Sequence, residues 1–222
     1  MPDAVMLFAA GFGTRMGALI RDRPKPLVEV AGRALLDHAL DQCARIPRRV
    51  VNAHYHAEQI EAHVAGLGIP VSIEKPEILD TGGGLRRALP LLGPGPVFTL
   101  NTDAVWRGPN PLHRLAAAWD PGTMDALLLC VPLFRAHGRQ GGGDFTLDHG
   151  RLSRGGDMVY TGAQIVNPAL LEGIEGDAFS ISALWDKAQA TDRMRGIPYC
   201  GHWCDVGHPG GIKVAEEMLR DV

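Results

Sequence analysis

The sequence predicts an α/β protein: a mostly parallel mixed sheet, helices on both of its faces, and a small β-hairpin part. Three observations carry this. The chain opens on a short apolar run, Ala4 to Ala10, that breaks into Gly11-Phe12-Gly13. Through the first half, short apolar runs alternate with stretches whose apolar residues recur at helical spacing, as in strands joined by crossover helices. The second half changes style, to a buried strand, a hairpin-like segment and two late helices. At 222 residues and 45% hydrophobic content, the chain fits one large domain, or one with an inserted subdomain, around an ordinary core.

The elements follow in order. Strands are predicted at 4–10, 48–52, 70–74 and 96–101. Between them, Leu35, Leu36, Ala39, Leu40 and Cys43 mark one helix, and Ile60, Val64 and Leu67 a second. Leu85, Ala88, Leu89 and Leu92 mark a third, opened by Gly82-Gly83-Gly84. Residues 126–131 read as a buried strand, and 144–152 as a hairpin turning near Asp148-His149-Gly150. Strands over 161–166 and 197–204 and helices over 181–190 and 208–219 complete the series.

Composition narrows the function. The formal charge of −3 supplies no basic field for nucleic acid. No run of about 18 apolar residues suggests a membrane span, and Met1-Pro2-Asp3 lacks the basic start of a signal peptide. The expectation is a cytoplasmic protein without nucleic-acid or membrane partners. Cys43 and Cys130 sit in apolar patterns and read as small core residues. A strand over 197–204 would put Cys200, His202 and Cys204 on one face, but further metal ligands at matched spacing are missing. No serine elbow or histidine-based nucleophile set is evident, so covalent catalysis has little support.

Four features carry chemistry. Gly11 and Gly13 let backbone N–H groups approach phosphate oxygens, and Arg15 and Lys25, the latter in Pro24-Lys25-Pro26, supply charge suited to a triphosphate. The bland alternative is an ordinary strand-to-loop glycine turn. The third glycine of a dinucleotide fingerprint and the Gly-Lys-Ser/Thr of a P-loop are both missing. Asp103 follows a strand end, where open α/β sheets bind ligands, and Asp205 closes another strand. Two such carboxylates can share a Mg²⁺, or each can simply cap a helix. Gly82-Gly83-Gly84 either let a flat ligand lie on backbone or permit close helix packing.

These residues, in this order, resemble the sugar-1-phosphate nucleotidylyltransferases. The resemblance rests on Leu7–Met16, Pro24-Lys25-Pro26-Leu27-Val28, Asp80-Thr81-Gly82-Gly83-Gly84, Asn101-Thr102-Asp103 and Trp203-Cys204-Asp205-Val206-Gly207, and covers about residues 4 to 220. The triple glycine, Gly143-Asp144-Phe145 and His202-Trp203 are similar to the bacterial branch that uridylylates N-acetylmuramate 1-phosphate for peptidoglycan recycling.

The resemblance implies a Rossmann-like nucleotidyltransferase fold over 1–222. Residues 1–105 would mainly bind nucleotide, and 106–222 would mainly bind sugar and supply the second metal ligand. It implies an NTP, with UTP favoured, a sugar 1-phosphate and Mg²⁺. Arg15 and Lys25 would be catalytic. Ala9, Ala10, Gly11, Gly13, Thr14, Asp80, Thr81, Gly82, Gly83 and Asn101 would bind the nucleotide. Asp144, Thr161 and Gly162 would face the sugar, and Asp103 and Asp205 would hold the metal. A lactyl carboxylate on the sugar would call for a cation, with His137, Arg139, Arg154 and His208 as candidates.

The chain departs from the family pattern at three points. Gly17-Ala18-Leu19 follows Arg15-Met16, Thr102 replaces a frequent glycine, and the 139–144 loop is longer than usual. Hexose- or heptose-1-phosphate guanylyl or thymidylyl transfer, and a non-catalytic nucleotide-binding homologue, are the alternative readings.

Overall fold

A computed structural model describes residues 1–220. The strands are β1 (Ala4–Phe8), β2 (Glu29–Val30), β3 (Arg33–Ala34), β4 (Arg48–Ala53), β5 (Val71–Ile73), β6 (Val97–Asn101) and β7 (Ala104–Arg107). They continue with β8 (Ala126–Pro132), β9 (Ala136–His137), β10 (Phe145–Asp148), β11 (Arg151–Arg154), β12 (Met158–Val166), β13 (Met194–Pro198) and β14 (His202–Asp205). The α-helices are α1 (Leu35–Gln42), α2 (Ala57–Val64), α3 (Asp80–Leu92), α4 (Pro111–Ala118), α5 (Ser182–Ala190) and α6 (Pro209–Arg220).

Nine strands form the main sheet. β5, β4, β1 and β6 run parallel, so the carboxyl ends of these four strands share one sheet edge. β12 then runs antiparallel to β6, with β8 on its other side. β10 pairs with the same edge of β12 as β6 does, through Phe145 and Met158. Against β8, β12 shifts register between Tyr160 and Gln164.

Side-chain alternation divides the core. Val5 and Leu7 pack beneath α1, α2 and α4 with Leu36, Ile60, Leu112 and Leu115. Ala4 and Met6 face the other way, toward Leu85 and Leu92 of α3 and Leu184 and Trp185 of α5. A strand buried on both faces must be apolar throughout, which is why 4–8 reads as a continuous apolar run. Helix α6 closes a third cluster with Met16, Val28 and Leu35.

One predicted element differs. Residues 197–204 are not one strand. β13 lies in the main sheet, parallel to β8, and β14 lies in a separate three-stranded sheet with β7 and β9. Tyr199 makes the break: it is buried against Trp106, and its hydroxyl donates to the Pro109 carbonyl at 2.9 Å. Cys200 is therefore exposed while Cys204 is buried, and Cys200, His202 and Cys204 do not share a strand face. Cys43 and Cys130 are buried, as their apolar surroundings predicted.

Candidate active site

A cavity of about 290 Å³ opens at the carboxyl ends of β1 and β6. Ala9, Ala10, Gly11, Gly13, Thr14, Arg15 and Lys25 line it, together with Asp80, Thr81, Asn101 and Asp103. The loop after β1 turns at Gly13, whose φ of 66° puts it in the left-handed region, and a Cβ there would sit 2.8 Å from Cβ of Lys25. Only glycine lets the loop cross the lysine stem this closely. A 3₁₀ segment, Thr14–Ile20, follows, anchored by buried Met16 and kinked at Gly17, with φ 59° and ψ −126°. Arg15 stays exposed on this segment, whereas Lys25 is 7% exposed. Lys25 Nζ donates to Asp103 Oδ2 at 2.8 Å. Thr102, the β-branched departure, turns inward, and its hydroxyl donates to the Phe8 carbonyl at 2.7 Å.

Two polar residues beneath the loop escaped the sequence reading. Asn52, in β4, accepts from the Ala9 N–H at 2.6 Å through Oδ1 and donates to Glu74 Oε1 at 2.7 Å. Glu74, just past β5, is fully buried and accepts from the Leu79 N–H at 2.7 Å through Oε2. This chain of bonds ties the post-β1 loop to the segment that starts α3. The available signal was a polar residue at each of two otherwise apolar strand ends.

The triple glycine is a packing device. Gly82 and Gly83 are buried and do not wall the cavity, contrary to the expectation that they contact the nucleoside. Both of their N–H groups point to the Phe179 carbonyl, at 2.8 and 3.2 Å. A Cβ on Gly82 would strike the Phe179 ring, one on Gly83 the Asp177 carbonyl, and one on Gly84 the Glu74 carboxylate. Close helix packing, the alternative reading, accounts for all three.

A second cavity, about 310 Å³, adjoins the first and shares Arg15, Asn101 and Asp103 with it. Asp144, Gly162, Tyr160, Trp185, Arg139, Arg154 and Asp205 also line it. Asp144 accepts from Arg139 Nη2 at 2.5 Å and from the Tyr160 N–H at 2.9 Å. Gly162, with φ 79°, lies against the Asn101 side chain, where a Cβ would clash. Thr161 does not face the cavity. It is fully buried on the opposite side of β12, and its hydroxyl donates to the Leu129 carbonyl at 2.7 Å. Strand alternation turns it away from its neighbours Tyr160 and Gly162.

Asp205 reaches the site through β14. β14 pairs antiparallel with β7, so Asp205 stands opposite Ala104, and the Val206 N–H donates to the Asp103 carbonyl at 2.8 Å. Residues a hundred positions apart thereby become neighbours. The Asp205 carboxyl is held above its usual range, first by burial and then by the Asp103 charge, with Lys25, Arg15 and Arg139 opposing. No hydrogen bond from a described residue stabilises its ionised form. Two adjacent carboxylates, one of them destabilised by the other, fit a divalent cation whose remaining ligands are water and phosphate oxygens.

Comparison with known proteins agrees with this architecture. Residues 5–139 match the MobA-like NTP transferase domain family. The chain is 40% identical to the N-acetylmuramate alpha-1-phosphate uridylyltransferase of Caulobacter vibrioides, over 99% of this chain and 98% of that protein. It is 29% identical to the protein of the same name from Neisseria meningitidis serogroup B, over 96% of both chains. Its fold is that of HddC from Yersinia pseudotuberculosis complexed with GMP-PN, with TM-score 0.74 and 20% identity over 99% of this chain and all of that one. The inositol-1-phosphate CTP transferase of T. maritima shares it too, with TM-score 0.76 and 13% identity over all of this chain and 98% of that one. The chain belongs to the MobA-like NTP transferase domain family and, within it, to the enzymes that are sugar-1-phosphate nucleotidylyltransferases.

Proposed function

We propose that this enzyme transfers the uridylyl group of UTP to N-acetylmuramate 1-phosphate, giving the UDP-sugar and pyrophosphate, with Mg²⁺ as cofactor and cell-wall recycling in the cytoplasm as its setting. The observation that carries the reading is the union of two cavities over Asp103, with Arg15, Lys25 and Asp205 grouped around the junction. The uridylyltransferase relatives, similar along almost their whole length, support the choice of base and sugar.

In this reading the chain is one domain. Residues 1–105 mainly hold nucleotide, and 106–222 mainly hold sugar and contribute the second metal ligand. Ala9, Ala10, Gly11, Gly13 and Thr14 wrap the phosphates, while Asp80, Thr81 and Asn101 border the nucleoside. Asp144 and Gly162 border the sugar. The attacking group, a sugar phosphate oxygen, is already an anion, so the reaction needs no strong base. Catalysis rests on positioning and charge neutralisation. Exposed Arg15 holds the β- and γ-phosphates and then the departing pyrophosphate. Lys25 leaves its ion pair with Asp103 to bridge the α-phosphate and the incoming phosphate, offsetting their repulsion. Asp103 and Asp205 would hold Mg²⁺, which when bound neutralises developing phosphate charge and orients oxygens.

The test is pyrophosphate release across UTP, GTP, dTTP and CTP, each with N-acetylmuramate 1-phosphate, N-acetylglucosamine 1-phosphate and mannose 1-phosphate. The expected maximum is UTP with N-acetylmuramate 1-phosphate, and it disappears in EDTA. A maximum with GTP or dTTP, or with a neutral hexose 1-phosphate, replaces this assignment with one of the alternatives. Nucleotide binding without pyrophosphate release identifies a non-catalytic homologue.

A further inference from the structure

The second cavity is lined by three arginines, and two of them are already committed. Arg15 stands at the junction, in both cavities. Arg139 is tied to Asp144 Oδ1 at 2.5 Å and to the Gly142 carbonyl at 3.1 Å. Arg154 is different. It comes from the last residue of β11, and its guanidinium lies over the Phe145 and Trp185 rings, 5.2 and 5.4 Å from their centroids. Its one carboxylate partner among the described residues is Asp186, at 3.3 Å on an exposed rim. Exposed pairs of this kind contribute little and exchange readily. The aromatic faces fix the plane of the fork and leave its edge for a planar anion.

The other candidate cations are spent elsewhere. His137 Nε2 and His202 Nδ1 share a hydrogen bond of 2.9 Å, and burial holds the His137 ring below its usual pKa. His208 bonds the Gly138 carbonyl at 3.3 Å. Neither His137 nor His208 walls the cavity. Arg154 lines the second cavity and not the first, which the post-β1 loop walls.

We propose that Arg154, stacked on Phe145 and Trp185, is the specificity-determining residue for an acidic substituent on the sugar. The substrate class is a sugar 1-phosphate that carries a second anion, a carboxylate, at the end of the ring away from the anomeric phosphate. The inference rests on the nucleotidyl-transfer reading of the site. The lactyl ether of N-acetylmuramate supplies such a carboxylate, and N-acetylglucosamine 1-phosphate is the same sugar without it. Arg154 then trades its rim pair with Asp186 for a forked, stacked contact, which is the stronger arrangement.

The test compares kcat/KM for these two sugar 1-phosphates, with UTP and Mg²⁺ saturating, in the native chain and in Arg154→Gln. Glutamine removes the charge and keeps a shorter, polar, hydrogen-bonding side chain. The ratio favouring the acidic sugar is expected to fall about tenfold or more, mostly through KM, as the loss of a charge-assisted bond requires. Asp186→Asn, which removes the competing carboxylate, is expected to raise that ratio by about twofold. Equal losses on both sugars in Arg154→Gln, or an unchanged ratio, overturn the assignment. Turnover of the neutral sugar as fast as the acidic one by the native chain overturns it too, and leaves nucleotidyl transfer standing. A native chain that turns over neither sugar with any NTP overturns the transfer reading itself.

Discussion

At the residue scale, Lys25 and Asp103 are each other's partner, and their roles are separable. Asp103→Asn removes a charge from the carboxylate pair and is expected to lower turnover by at least about tenfold at saturating Mg²⁺. Unchanged steady-state turnover would remove Asp103 from the proposed metal pair. Lys25→Ala leaves Asp103, whose side chain is 34% exposed, in contact with water, so no strongly buried charge is stranded. It is expected to reduce kcat by a similar factor while the thermal midpoint moves by only a few degrees. A large drop in the midpoint would instead make the pair structural. Both residues were legible in the sequence as candidates, Asp103 just past a predicted strand and Lys25 between two prolines. Their mutual ion pair was not legible, since they lie 78 positions apart.

At the element scale, the start of α3 is positioned by two opposed contacts: the 177–179 strap above and the Asn52–Glu74 bridge below. Gly83→Ala would drive a methyl group into the Asp177 carbonyl. It is expected to cost about 1–3 kcal/mol of stability, as overpacking does, measurable by urea unfolding. A variant as stable as the native chain would show that the strap can move aside. Glu74→Gln converts one of two accepting oxygens into a donor facing a donor. That mismatch is expected to cost about 1–3 kcal/mol and to raise the KM for the NTP, because the Ala9 and Leu79 segments lose their common anchor. An unaltered KM would confine Glu74 to stability. The helix itself was visible in the spacing of Leu85, Ala88, Leu89 and Leu92. Whether its glycines face a ligand or a strap was not, since glycine permits both.

At the scale of the whole molecule, the late strand β13 is pinned to the main sheet by Arg193. Its Nε donates to Asp125 Oδ2 at 2.6 Å, and its terminal nitrogens reach the carbonyls of Pro121, Gly122 and Met124. Arg193 holds the Asp125 carboxyl below its ordinary value of 3.8, burial opposes, and Asn167 assists. A carboxyl with a lowered folded-state pKa adds stability above its unfolded value and loses it as pH falls through the folded one. Thermal midpoints of the native chain and Asp125→Asn are therefore expected to differ near neutrality and to converge below about pH 4. A gap that persists into acid would assign the effect to the uncharged hydrogen bonds.

The sequence by itself determined the α/β class, the strand-and-helix order of the first half, and which residues were candidates for a site. These are local properties: periodicity reports which face is buried, and glycines, arginines and carboxylates report chemistry wherever they fall. Tertiary structure alone decided how they meet. The β14–β7 pairing sets Asp205 beside Asp103, and the break at Tyr199 moves Cys200 out of line with Cys204. The same is true of the buried Asn52–Glu74 bridge and of the direction in which Thr161 points. Each depends on which distant backbone comes within hydrogen-bonding reach, and that is a property of the packed chain and not of any short stretch of it.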